Sequence, residues 1–289
     1  MSIYSKVSIM TEPSYALPPG GLPGQDQLLS DRAVFRNAFA FLPAGVLRDI
    51  VTSALPHWEQ TRAWILARPM SGFAETFCQS ILEVEPGGGS DYPEPDAQAE
   101  GAFFVMSGRI ELRLIDRIES LSAGGFAWIA PGASYELRNT GDERAVFHWI
   151  RKAYQPVEGI TPPQSFATHE RAIPSVSMPD TADRWQTKRF IDPQEIAHDM
   201  HINIVTFEPG GVIPFTETHV MEHGLYVLEG KAVYRLNDEW IEVTAGDFIW
   251  LRAFCPQACY AGGTGRFRYL LYKDVNRHPR LDVTRTRTD

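Results

Sequence analysis

Gly211-Val-Ile-Pro-Phe-Thr-Glu217-Thr-His219-Val-Met-Glu-His223-Gly-Leu-Tyr-Val-Leu-Glu-Gly230 sets a carboxylate and two imidazoles between two glycines. The flanks read as strand: Tyr226, Val227 and Leu228, then Ala232, Val233, Tyr234 and Leu236 beyond a turn at Gly230. In an extended chain, side chains two and four residues apart share a face. Glu217, His219 and His223 are therefore expected to converge on one side. Two neutral nitrogens and one hard anionic oxygen, with room for further ligands, suit a divalent ion such as Mn, Fe or Zn. A polar strand edge whose histidines face water would give the same pattern, so the rest of the chain has to decide.

The chain repeats itself. Glu85-Pro-Gly-Gly, Gly108 and Gly124-Gly-Phe126-Ala-Trp128 in the first half match Glu208-Pro-Gly-Gly, Gly230 and Gly246-Asp-Phe248-Ile-Trp250 in the second. Gly108 to Gly124 and Gly230 to Gly246 both span 16 residues, and the later marks are offset by 122. A fixed period is the signature of a duplicated unit. Each copy reads as short strands broken by glycine and proline, with Phe103 to Met106 and Arg109 to Ile115 in the first, and Leu225 to Leu228 and Lys231 to Leu236 in the second. Helical periodicity is weak in both. The expected fold is all-β, with two tandem jelly-roll barrels. The boundaries read as an arm at 1–58, a first barrel at 59–155, a proline-bearing connector at 156–190 and a second barrel at 191–289. Some strand is expected from Ala33 to Leu42. Asp192-Pro193-Gln-Glu-Ile-Ala has the chemistry of a helix N-cap and first turn.

Composition narrows the function. The 289 residues are 44% hydrophobic, enough for a packed core, and the net charge of −9 argues against a nucleic-acid backbone or an anionic membrane as partner. A local basic pocket for a small acidic substrate remains compatible with that balance. The N-terminal residues lack the pattern of a secretory signal, and no run of about 18 apolar residues occurs. Cys78, Cys255 and Cys259 are too few and odd in number for a disulfide framework, which fits a reducing, cytoplasmic setting.

With these residues in view, the chain resembles the cupin superfamily. The cupin pattern runs glycine, five residues, His-x-His, three or four residues, Glu, six residues, glycine, and a second motif supplies a further histidine. Gly211, Glu217, His219, His223 and Gly230 keep the spacing, but the first His has become Glu and the Glu has become His. In the second motif, which opens at Gly246, Gln257 stands where the last His belongs, and Arg252 and Phe254 replace the usual proline and inner glycine. This Glu/His/His/Gln set resembles the (S)-ureidoglycine aminohydrolases, bicupins of purine and allantoin breakdown whose members are also labelled glyoxylate-induced. Ala245-Gly-Asp-Phe-Ile-Trp250, the tail Tyr269-Leu-Leu-Tyr-Lys273-Asp-Val-Asn-Arg277 and the early Leu28-Leu-Ser-Asp-Arg-Ala-Val segment carry the same resemblance.

The resemblance implies a Mn(II) site at Glu217, His219, His223 and Gln257, with Fe(II) or Zn(II) as other occupants. It implies substrate contacts from Glu217, Tyr234, Gln257, Tyr269 and Lys273. Glu217, Tyr234 and Lys273 would carry the catalysis. The reaction would release ammonia from (S)-ureidoglycine, a small acidic ureido compound, to give (S)-ureidoglycolate. Strand alternation adds that Tyr269, Leu271 and Lys273 share a face, so a Lys273 turned into the barrel would want a substrate carboxylate. Snorkelling of Lys273 to water and ordinary packing of the two tyrosines are the alternatives. An Fe or Cu cupin dioxygenase and a non-catalytic bicupin that senses or stores a small ligand are the other functional classes. Bicupins often join through sheet edges, so a homo-oligomer is expected.

The first barrel maps Pro95, Ala97, Gly101 and Tyr135 onto the four ligand positions and is read as metal-free. A slip of one residue brings up Glu94, Asp96 and Glu100, a set without a histidine. Cys255 and Cys259 flank Gln257 and read as small buried hydrophobes rather than zinc ligands. His148, His201 and the other histidines lack partners at ligand spacing and read as structural.

Overall fold

The computed structural model describes Leu17, residues 33–46 and 53–275, and Arg277. Leu28 to Arg32 and most of the arm lie outside the described residues. The chain runs through β1 (Val34–Phe35), β2 (Phe39–Leu42), β3 (Glu59–Ala67), β4 (Phe77–Ser90), β5 (Ala99–Ser107), β6 (Arg109–Leu114), β7 (Ile118–Ser122), β8 (Gly125–Ile129), β9 (Tyr135–Arg138), β10 (Ala145–Ala153) and β11 (Phe166–His169). It continues through β12 (Val176–Ser177), β13 (Trp185–Arg189), β14 (Met200–Phe207), β15 (His223–Glu229), β16 (Lys231–Leu236), β17 (Glu239–Thr244), β18 (Phe248–Leu251), β19 (Gln257–Tyr260) and β20 (Phe267–Asp274). The fold is all-β, and the only helical pieces among the described residues are two single 3-10 turns. Among the described residues no helix is long and apolar enough to cross a membrane.

β3 to β11 form one nine-stranded antiparallel sheet around a core that includes Phe103, Ile110, Leu112, Leu137 and Phe147. In the second unit an eight-stranded sheet, ordered β1-β2-β18-β15-β20-β14-β13-β12, faces a small sheet ordered β17-β16-β19. Phe207, Leu225, Val227, Tyr234, Leu236 and Leu271 fill the space between them. The Phe39–Leu42 part of the arm therefore belongs to the second unit, since β2 pairs with β18, Ala40 opposite Trp250, while Ser53 bridges Ala63 of the first. The 156–190 stretch serves both units: β11 extends the first sheet on β8, while β12 and β13 extend the second on β14.

Strands in the middle of the molecule bury both faces. On β20, Tyr269 and Leu271 point into the second barrel's core, while Leu270 and Tyr272 join a third cluster shared with Phe77, Ile81, Phe104 and Phe126 of the first unit. This explains why Phe248 to Leu251 reads as an unbroken apolar run. Phe77 stacks on Tyr272 with ring centroids 4.1 Å apart, and Phe126 on Phe190 at 4.2 Å. Gly224 lies under that contact. A Cβ there would sit 2.6 Å from Phe77 Cζ and 2.9 Å from Gln79 Oε1. Gly224→Ala is expected to cost ~1–3 kcal/mol by overpacking the barrel–barrel face, read as a lower urea midpoint at unchanged m-value. An unshifted midpoint would mean that Phe77 yields freely. Gly108 and Gly230, the repeated turn glycines, have φ of 72° and 77° and pass close to the carbonyls of Arg144 and Arg266, so only glycine fits.

The expected helix after Asp192 does not form. Asp192 Oδ1 accepts the Gln194 N–H at 2.9 Å, as a cap would, but the chain makes two successive turns instead. Its carbonyls are taken by tertiary donors: Tyr154 Oη reaches Ala197 O at 2.9 Å and Arg277 reaches Ile196 O at 2.8 Å. So short a segment cannot repay helix nucleation against those bonds.

The slipped carboxylate set in the first barrel does not meet. Glu94 pairs with Arg151 at 2.5 Å, Asp96 Oδ1 accepts the Gln98 N–H at 2.9 Å, and Glu100, wholly buried, accepts Trp128 Nε1–H at 3.1 Å. Burial pushes the Glu100 carboxyl up to about 8, against the pull of Lys152. The folded chain therefore holds a proton that the unfolded chain releases above about 4.5, and stability falls as pH rises from about 4.5 to about 8. Glu100→Gln is expected to flatten that decline, so the two melting-temperature curves diverge toward the alkaline end. Parallel curves would refute the assignment.

Candidate functional site

A cavity of about 450 Å³ opens between the two sheets of the second barrel, and Glu217, His219, His223, Tyr234, Gln257, Tyr269 and Lys273 all line it. The residues expected at one site are thus together, but not for the expected reason. His223 opens β15, yet Glu217 holds only an isolated bridge and His219 lies outside any strand, with bends at Phe215 and Val220. Pro214 has no N–H to give a ladder, and pairing survives only as isolated bridges, Val212 with Tyr260 and Glu217 with Gln257. Two backbone bonds of 2.9 Å hold Glu217 against Gln257. His219 O accepts the N–H of Phe254 at 2.6 Å. Phe254 has φ of 64°, the left-handed region where the cupin motif places glycine. The substitution seen in the sequence therefore keeps the glycine conformation under strain, beside a site residue.

His219 Nε2 is 3.4 Å from Glu217 Oε1, and the two imidazole rings lie nearly parallel with centroids 5.0 Å apart. His223 Nδ1 is 2.8 Å from Met221 O. A carbonyl only accepts, so Nδ1 carries the hydrogen and Nε2 keeps its lone pair. That Nε2 is buried without a partner among the described residues. Burial, then the nearby Lys273 and His219, holds the ring well below the usual histidine range, so it stays neutral, as a ligand must be. Tyr234 Oη donates to Gln257 Oε1 at 3.1 Å and lies 3.3 Å from Tyr269 Oη. Burial raises both phenols, which remain protonated donors. As they stand, no three His, Cys, Asp or Glu side chains among the described residues enclose a point that could hold an ion. The donor set, two nitrogens and two oxygens, and the orphaned His223 Nε2 nevertheless fit a divalent ion better than any other group here.

Lys273 forms no ion pair among the described residues. Burial lowers its pKa, Glu217 raises it, and Arg189 lowers it. Cys255 and Cys259 are buried core thiols, both raised by burial, and not ligands. His148 is buried against Tyr226, 4.3 Å between centroids, as a structural residue. His201 instead lines the cavity, because β14 lies between β13 and β20 with that side chain facing inward. Spacing along the chain could not show it.

Glu222, between the two histidines, was also not anticipated. Its carboxylate accepts the N–H of Glu75 at 2.6 Å and of Thr76 at 2.9 Å from the first unit, and Trp250 Nε1–H at 2.5 Å. Its own N–H donates to Asp274, next to Lys273. The offset of 122 maps Glu100 and Trp128 onto Glu222 and Trp250, so the repeat contained the signal. Glu222→Ala is expected to lower stability by ~3–5 kcal/mol, because four buried or part-buried donors, the Thr76 hydroxyl included, lose one acceptor, and to loosen the histidine loop. A melting temperature within a degree or so of wild type would contradict that.

A second cavity of about 610 Å³ lies between the barrels, lined in part by Lys152, Asp199, Asp274 and Arg277. Its cations are already matched, Lys152 and Arg277 both pairing with Asp199, and it contains no imidazole. The chemistry therefore belongs to the smaller cavity.

The cupin domain model matches twice, at residues 80–151 and 203–272. The chain is 32% identical over 260 residues to (S)-ureidoglycine aminohydrolase of Escherichia coli (strain K12), covering 88% of this chain and 95% of that one. It is 31% identical over 230 residues to the Arabidopsis thaliana enzyme of the same name, covering 79% and 74%. A crystal structure of a glyoxylate-induced protein from Pseudomonas aeruginosa superposes with a TM-score of 0.85 at 61% identity, covering 93% of this chain and 99% of that one. With two cupin units, this shared length and the Glu217/His219/His223/Gln257 cavity, the chain belongs to the (S)-ureidoglycine aminohydrolase family.

Proposed function

We propose that this protein is a manganese-dependent hydrolase that releases ammonia from (S)-ureidoglycine and gives (S)-ureidoglycolate. The observation that carries this reading is a single cavity lined by Glu217, His219, His223, Gln257 and a Lys273 without an ion-pair partner among the described residues. The family relationship supplies the substrate.

In this reading Glu217, His219, His223 and Gln257 hold the ion. When bound, it supplies Lewis-acid polarisation and a template for the substrate. Lys273 Nζ pairs with the substrate carboxylate, which offsets the cost of burying the ammonium. The tetrahedral carbon is then fixed beside Glu217, and the ureido nitrogen pushes electrons toward it as the C–N bond breaks. Water adds to that carbon, giving one C–O bond and one ammonia for each C–N bond lost. Glu217, which lines the same cavity, accepts the proton from water and passes one to the departing nitrogen, which leaves as ammonia. Tyr234 acts as a positioning donor, since its O–H holds Gln257 Oε1, and Tyr269 backs it. Orientation by these groups supplies much of the rate.

The test is elemental analysis of the purified protein coupled to an ammonia assay on ureidoglycine generated from allantoate. Ammonia release that follows manganese content is the expected result. Protein fully loaded with metal and inactive on ureidoglycine would overturn the reading.

A further inference from the structure

The inner wall of the second barrel carries a polar patch that the reaction steps above do not use. Cross-strand pairing sets His201 opposite Lys273 and Asn203 opposite Leu271, while Arg189 stands opposite Asn203. On its other side Lys273 faces His223. Directly opposed residues on an antiparallel sheet have Cα atoms ~5 Å apart. Arg189, Asn203, His201 and Lys273 are therefore contiguous, and all four line the cavity.

Two atoms of the patch are orphans. Asn203 Oδ1 and His201 Nε2 are buried and have no hydrogen-bond partner among the described residues. Native proteins pair nearly all such atoms, and an unpaired one weakens the fold. Both occur on adjacent inward positions of one strand, at the wall of a ligand-sized space. Arg189 is exposed at the mouth and adds a fork of donors without closing the cavity. Its charge reaches inward, helping to lower both Lys273 and His201, the latter to about 4, chiefly by burial. His201 is thus a neutral ring, able to accept or donate.

We propose that Asn203, Arg189 and His201 form the subsite that reads the ureido end of the substrate, with Lys273 holding the carboxylate. This rests on the ureidoglycine reading. A ureido group presents one carbonyl acceptor and a terminal NH₂ donor. The Asn203 amide, in either orientation, offers one acceptor and one donor side by side. Its oxygen takes the terminal N–H, and Arg189 donates to the ureido carbonyl. A ligand lacking the terminal N–H leaves the Asn203 oxygen orphaned, and that is how such sites discriminate.

Ureidoacetate and N-acetylglycine differ by a methyl in place of the terminal NH₂, and both are compared as inhibitors of ammonia release by the metal-loaded protein. Wild type is expected to prefer ureidoacetate by about tenfold or more, and Asn203→Leu and Arg189→Met to bring that ratio within about twofold. KM for ureidoglycine should rise about tenfold in both, with kcat changed less. Arg189 is exposed, so its variant tests the subsite if Asn203→Leu does not fold, and Asn203→Thr provides a smaller change at the same position. No preference in wild type, or a preference retained in folded variants, overturns the subsite while ammonia release continues. Loaded wild type that releases no ammonia and binds neither analogue overturns the functional reading itself.

Discussion

On the proposed manganese-dependent reading, a chain carrying His219→Ala together with His223→Ala is expected to lose the metal and to drop at least about a thousandfold in ammonia release. The reason is local. His223 offers a neutral, buried Nε2 whose tautomer is fixed by Met221 O. His219 stands 3.4 Å from the Glu217 carboxylate. Without both rings only Glu217 and Gln257 remain, and two oxygen ligands from one bridged pair bind a divalent ion weakly. Folding should survive, because neither ring fills the apolar core and an alanine at 223 leaves β15 intact. Metal content measured by elemental analysis separates the cases: unchanged manganese in a folded double variant would place the ion elsewhere.

Lys273→Met is the second large effect. Losing the ammonium leaves the substrate carboxylate in the cavity without its partner, and kcat/KM is expected to fall about a hundredfold or more. Manganese content should be unchanged, which distinguishes this variant from the histidine pair. Stability should move the other way. Lys273 is lowered first of all by burial, so its charge is uncomfortable in the free protein. A methionine of similar length is expected to raise the melting temperature by a few degrees. Undiminished turnover, or a melting temperature well below wild type, would assign Lys273 a structural part instead. Lys273→Arg is the control for charge without geometry.

That Glu217, His219, His223 and Gln257 would meet at one cavity was legible because their spacing is largely local. Glu217, His219 and His223 sit within one segment, and Gln257 lies a fixed count beyond Gly246. The duplication at a constant offset announced two β units, since turn glycines with positive φ, such as Gly108 and Gly230, admit no substitute and mark the period. Reading a continuous strand through Glu217 and His219 failed because Pro214 and the bends at Phe215 and Val220 break the ladder. The helix after Asp192 failed because Tyr154 and Arg277 claim its carbonyls.

Residue order alone determined the all-β class, the two repeated units and the donor set of the cavity, because turn chemistry and ligand type are properties of single residues and short spacings. Folding in three dimensions decided that the arm would join the second barrel through Ala40 and Trp250, that Glu222 would lock the histidine loop to Glu75 and Thr76, and that His201, Asn203 and Arg189 would face the cavity beside Lys273. Those are pairings between residues far apart in the chain. They are set by which apolar faces bury together, and no local pattern encodes the partner.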